Sequence, residues 1–456
     1  MISKKRISLT ILCVLLSTGI PFGKGHLVVR LGDFPKAANP AEVSVAINHK
    51  NPTNVVAASL VTGMEPRSVS YVYTSLNSGQ TWGMQKTANP ENRIQGDDSV
   101  AFDQEGRVFR SYISFRGLRA AAPLNPLNGI FVTTSTDEGR TWGLPVTVVD
   151  HRNSLTPFED KPYLSTDLSI ESPYQGNIYI AWTRFDRYGS SNPQDQSHVY
   201  ISRSMDQGRS FSPPLRISDV GGDCLDSDGT VEGAVPASGT NGELYVVWAG
   251  PEGLIFDHSL DGGKTFQEDR TLIDTPGGWD LEIEGLYRSN GFPVTGVDHS
   301  QGPYRGTIYV NWIDERNGDP DVFVIASRDH GNSWSEPTRI NNDRIANGKA
   351  QFFTWMAIDP IDGSLNILFF DRSNSKDTET SVQMARSIDG GKTFLNFAVA
   401  LEPFECQEDI FFGDYNGIAA YNGLVIGTFP HFTSVGRLAL SAAIFQFFPG
   451  TQRLQP

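Results

Sequence analysis

Apolar residues along this chain fall in short alternating runs divided by turns rich in Gly, Asp, Asn and Ser. That is the period-two pattern of half-buried strands, and no stretch sustains a helical period. The clearest runs are Gly176-Asn-Ile-Tyr-Ile-Ala-Trp182, Gly242-Glu-Leu-Tyr-Val-Val-Trp248 and Gly306-Thr-Ile-Tyr-Val-Asn-Trp312, with weaker versions from Gly106 and Gly363. Ahead of each lies a shorter run of small residues: 43–47, 99–102, 163–166, 231–235, 294–297 and 355–358, with a further one at 416–420. The tyrosines and tryptophans recur in register, which assigns Tyr179, Tyr245, Tyr309, Trp182, Trp248 and Trp312 to packing inside a repeated unit.

A second signal shares the same period. The motif SxDxGx[TS][WF] begins at Ser75, Ser135, Ser204, Ser259, Ser327 and Ser387, with Asn77 in place of Asp in the first copy. Successive serines are 60, 69, 55, 68 and 60 residues apart, a spacing that suits one four-stranded propeller blade per copy. The acid or amide bonds backbone N–H groups of the turn, the glycine takes a positive φ and the ring packs sideways; this is the Asp box, a folding device. A seventh unit runs on through 424–429 and 438–447 but ends without a box or an outer strand. The apolar segment 27–31 is placed to supply that strand and close the ring. The fold expected is therefore all-β: a β-propeller of seven four-stranded blades, with the Asp boxes on one face and the ring closed by the N-terminal strand. A six-bladed ring with an appended hairpin is the alternative.

Lys4, Lys5 and Arg6 precede the apolar run Ile7 to Ile20, and Gly23 and Gly25 follow. This is the layout of a secretory signal peptide. Residues 1–25 are read as that signal and 26–456 as a single propeller domain, secreted or periplasmic, monomeric and not membrane-bound after cleavage. With 52 acidic against 37 basic residues, a formal charge of -15 and no basic cluster, nucleic acid is not an expected partner. The eight histidines show no metal-ligand spacing, and no metal or cofactor is expected. Cys224 and Cys406 remain after cleavage, and spacing alone leaves their pairing open.

The Asp boxes resemble those of bacterial sialidases and the wider BNR-repeat proteins, over nearly the whole mature chain. The resemblance implies a glycan ligand on the loop-rich face opposite the boxes. In sialidases three arginines hold the substrate carboxylate, a tyrosine backed by a glutamate attacks, and an aspartate is the acid/base. Here the first inner strand reads Ala41-Glu42-Val43-Ser44-Val45-Ala46, without the arginine usual there. Strand directions bring Asp97, Asp98, Glu159, Asp160, Lys161, Asp226, Asp228 and Glu232 to the loop-rich face, with the segments 279–288 and 406–415. Acids beside arginines suit proton transfer to a leaving oxygen and the orientation of an anionic or hydroxyl-rich sugar. The reading is a secreted, sialidase-like glycan-processing hydrolase. Asp160 or Glu232 is its acid/base, and Tyr415 or another carboxylate its nucleophile or helper. Arg288, Arg316 and Arg372 orient the substrate, and Trp279 and Trp355 stack on it. A polysaccharide lyase using Tyr415 with Arg288, and a non-catalytic propeller binding glycan or protein, are the alternatives.

Overall fold

The computed structural model describes residues 25–63, 68–89, 91–117, 125–374, 376 and 378–455; the signal-peptide reading lies outside these, apart from Gly25. All regular structure among them is strand, in seven four-stranded antiparallel sheets and one two-stranded ribbon. In blades 1 to 6 the chain runs outward from the axis strand by strand. Blade 3 is typical, with Phe158–Thr166 innermost, then Ile178–Phe185, Ser197–Ser204 and Leu215–Arg216. The other innermost strands are Asn39–Ile47, Ile94–Phe102, Glu232–Ser238, Val294–Val297, Gln351–Ile358 and Gly417–Tyr421, and they abut in that cyclic order, Gly417–Tyr421 lying against Asn39–Ile47. In blade 7 the outermost strand is His26–Arg30, paired antiparallel with Leu438–Gln446 so that His26 faces Phe445 and Arg30 faces Ser441.

The register-matched aromatics are core. Trp182, Trp248, Trp312, Tyr179, Tyr245 and Tyr309 are fully buried, each burying on the order of 150–250 Å² between sheets. Each Asp box is built alike: Ser327 Oγ donates to Asp329 Oδ1 (2.9 Å) and accepts from Gly331 N (2.9 Å), while Ser333 N donates to Asp329 Oδ1 (2.8 Å). The box glycine rests on the preceding blade. A Cβ on Gly331 would stand 2.5 Å from the Phe256 ring, and one on Gly79 of blade 1 would meet Ile426 and Ile444 of blade 7 at 3.1 and 3.2 Å. The boxes thus join neighbouring blades.

Five innermost strands break register at matching places: between Ala41 and Val43, Gly96 and Ser99, Asp160 and Tyr163, Glu232 and Val235, and Phe352 and Trp355. At each β-bulge one residue has positive φ: Glu42 (53°), Asp97 (52°), Lys161 (47°), Gly233 (74°) and Phe353 (47°). A non-glycine residue there costs roughly 1–2 kcal/mol, so four such residues around one axis mark a region whose geometry is held by its surroundings.

Candidate functional site

The bulges turn charged side chains toward the loop-rich end of the axis. Two neighbouring spaces form there. The outer is an open cleft of about 300 Å³ bordered by Glu42, Asp97, Asp160, Lys161, Tyr188 and Arg288, with Phe115, Phe158, Tyr287 and Phe411 as apolar walls. The inner is a smaller cavity of about 30 Å³ bordered by Tyr163, Phe292, Phe353, Trp355, Asp414 and Tyr415. Asp97 and Lys161 border both.

The cations at the site are already engaged. Lys161 Nζ is ion-paired with Asp414 and lies 3.9 Å from Glu232 Oε1. Arg288 donates from Nε to Asp414 Oδ1 (2.7 Å), pairs through Nη2 with the same carboxylate, and reaches Asp226 at 3.2 Å. Burial alone would raise Asp414; Arg288 and Lys161 overcome it and hold the carboxyl well below the usual range. The carboxyls facing it are shifted the other way. Burial and then the charge of Asp97 push Asp160 well up, burial and then Asp97 and Asp414 do the same to Glu42, and burial and then Asp226 raise Glu232. Asp97 and Asp160 meet at the bulge of blade 3, where Lys161 N donates to Asp97 Oδ2 (3.2 Å) and to Asp160 Oδ1 (3.1 Å), so carboxyls from three adjacent blades, Glu42, Asp97 and Asp160, border one cleft. Carboxyls whose environments push them in opposite directions, Asp414 down and Asp160, Glu42 and Glu232 up, are suited to separate acid and base roles.

The segment that carries Arg288 is clamped. Trp279 N and Asp280 N donate to Asp228 Oδ1 (2.7 and 2.8 Å), Ser227 Oγ donates to Asp280 Oδ2 (2.8 Å), and Arg372 Nη1 donates to Glu284 O (2.7 Å). Tyr188, on the loop between the second and third strands of blade 3, donates its hydroxyl to Asp226 Oδ2.

Of the residues singled out from sequence, Asp160 and Arg288 border the cleft, and Tyr415 and Trp355 the inner cavity. Tyr415 donates to Asp98 O (3.2 Å) and packs on Trp355, ring centroids 5.7 Å apart. Glu232 is sealed under Lys161 at 0% exposure, with neither carboxyl oxygen hydrogen-bonded to protein. Three others lie elsewhere. Arg316 is bound to Asp314 and stacked on Trp312 and Phe323 inside blade 5; the two-residue separation from Asp314 makes that local pair its nearest option. Arg372 is buried over Phe352 and braces the 279–288 segment. Trp279 is core, its ring 4.7 Å from that of Phe292, which borders the inner cavity. Glu159 and Asp98, also on the loop-rich face by sequence, are spent on Trp182 and Arg184 and on Arg110. Cys224 and Cys406 are both free thiols. Sequence reasoning passed over Glu42, Tyr188 and Asp414 as site groups. Tyr188 carries no register signal, and Glu42 and Asp414 are recognisable only once the bulges and the blade 6–7 loop are placed in space.

No known family profile matches the chain. Among solved structures it is similar to a protein of unknown function from Dyadobacter fermentans (TM-score 0.51, 12% identity, covering 91% of this chain and 97% of that one). It is also similar to the α-L-arabinofuranosidase of Fusarium graminearum in complex with arabinobiose (TM-score 0.50, 13% identity, 92% and 97% covered). A structure of an ulvan lyase, a polysaccharide lyase, aligns with TM-score 0.49 at 14% identity, over 91% and 95%. At such identities the likeness speaks for the propeller fold.

Proposed function

We propose that the chain is a glycoside hydrolase that processes a hydroxyl-rich glycan in the open cleft, with Asp160 as proton donor and Tyr188, backed by Asp226, as nucleophile. The observation that carries this reading is the hydroxyl of Tyr188 donating to the Asp226 carboxylate in the cleft that Asp160 also borders. Burial and the Asp160 and Asp226 carboxyls push the Tyr188 phenol up, so it needs a base to attack: the hydroxyl already donates to Asp226, and its proton passes there as Oη bonds to the anomeric carbon. The glycosidic C–O bond breaks in the same step, and the leaving oxygen takes the Asp160 proton. Water, giving its proton back to Asp160, then displaces the tyrosine, which recovers its own proton from Asp226. Tyr287 and Phe411 offer ring faces to the sugar, and Glu232 and Tyr415 support the site from below.

Hydrolysis is favoured over elimination because a lyase needs a cation to neutralise a uronate, and both Lys161 and Arg288 are already paired with carboxylates. The test is a panel of neutral, amino and acidic glycans scored for new reducing ends and for ultraviolet absorbance of unsaturated products. For the substrate that responds, Asp160→Asn and Tyr188→Phe are each expected to lower kcat on the order of 10²- to 10⁴-fold. Wild-type turnover in either variant overturns the assignment, and silence across the panel moves the reading to a glycan-binding propeller.

A further inference from the structure

The cleft wall carries more carboxyl groups than its own cations pair with. Asp226 and Asp414 take up Arg288 and Lys161. Glu42, Asp97 and Asp160 remain, contributed by blades 1, 2 and 3; the backbone N–H of Lys161 donates to Asp97 Oδ2 (3.2 Å) and Asp160 Oδ1 (3.1 Å). Glu42 is 1% exposed and borders the cleft, yet its Oε2 has no hydrogen-bond partner. A buried carboxyl oxygen left unpaired costs free energy that a ligand donor would recover. Carboxyls packed this closely cannot all ionise without a cation between them.

We infer that the cleft is the seat for a glycan bearing a protonated amine, an unacylated amino sugar whose ammonium lies between Glu42 and Asp97 beside Asp160. An ammonium has three donors and no acceptor, so it satisfies Glu42 Oε2 and Asp97 together and leaves the Asp160 proton for the leaving oxygen. An acetamide in the same place brings one donor and no charge, and a uronate brings repulsion. A metal ion is the poorer occupant, because among the described residues no group of three His, Cys, Asp or Glu side chains is arranged to hold one. The apolar flank of Leu60, Ile113 and Phe115 suits a pyranose face. The inference rests on the cleft being the glycan site of the proposed hydrolase, though not on turnover.

The experiment is calorimetric titration of the whole protein with an oligomer of glucosamine, the same oligomer N-acetylated, and an oligoglucuronate of equal length, with reducing ends followed in parallel. Hydrogen bonds to charged groups set the expected preference for the amine over the acetamide at roughly 10- to 100-fold, with the uronate weakest. Glu42→Gln keeps the shape of the side chain and is expected to shrink the preference to about threefold or less. Should that variant fail to fold, wild-type protein decides: the amine preference should fall several-fold between low salt and about 0.5 M salt. Equal or tighter binding of the acetylated or uronate oligomer, an undiminished preference in Glu42→Gln, or a salt-independent preference overturns the inference. Turnover without amine preference removes this inference and leaves the hydrolase. Amine preference without turnover does the reverse.

Discussion

Replacing Asp414 by Asn removes the one charge that both axial cations share. Asp414 is 2% exposed, Lys161 10% and Arg288 35% at the side chain, so the Lys161 half of the triad is buried and the Arg288 half is partly screened. Removing one member of a buried ion pair costs about 3–5 kcal/mol. Asn keeps the shape and part of the hydrogen bonding, Arg288 still has Asp226, and Lys161 has Glu232 at 3.9 Å, which places the expected loss near the lower end, at about 3 kcal/mol. For a domain of 150–250 residues each kcal/mol moves Tm by roughly 2–4 °C, and this longer chain responds somewhat less, so thermal melting followed by circular dichroism should show a drop of roughly 4–8 °C. Adding Lys161→Met removes the orphaned cation as well, and the double variant should recover more than half of the loss, a coupling of about 1.5 kcal/mol or more. A single variant that melts within about 1 °C of wild type, or a double variant that adds the two losses, would refute the view that Asp414 holds the axis together.

Ser327→Ala strips the acceptor from Gly331 N and the donor from Asp329; urea unfolding should show a loss of about 1–3 kcal/mol. Gly331→Ala sets a Cβ 2.5 Å from the Phe256 ring at a φ of 82°, and the overpacking alone should cost about 1–3 kcal/mol by the same measurement. Asp257 is buried with Oδ2 unpartnered and is pushed up to about 7 by burial. Because its folded value lies above the unfolded one of about 4, the stability it confers is complete below about pH 4 and is lost as pH rises through about 7. Asp257→Asn should therefore raise Tm at pH 8 and leave it little changed at pH 4; equal shifts at both would contradict the sign.

The blades were legible because their signals are local: the Asp box and the Gly-to-Trp run each lie inside one repeat, and segment 27–31 was placed by the single strand that blade 7 lacked. The start of each inner strand was less so. The sequence pattern began them at Val43, Ser99, Tyr163 and Trp355, each the first residue after a bulge, since the extra residue breaks the alternation on which strand recognition rests. The site residue hidden by that break is Glu42. Charge and loop position singled out Asp160 and Arg288, which border the cleft, and equally Arg316 and Arg372, which do not. An arginine in such a loop is more readily claimed by Asp314 two residues away, or by a neighbouring backbone carbonyl, than by a ligand. Only distances separate the two outcomes.

The matched bulges give the inner ring five geometrically equivalent seats. Each presents one residue toward the axis from a strand whose other residues pack against neighbouring blades, and the present occupants are Glu42, Asp97, Lys161, Gly233 and Phe353. Two seats are fixed by packing, Gly233 because a Cβ there would stand 2.6 Å from Phe292 and Phe353 because its ring is core, so the charge of the central space is set at the other three, Glu42, Asp97 and Lys161.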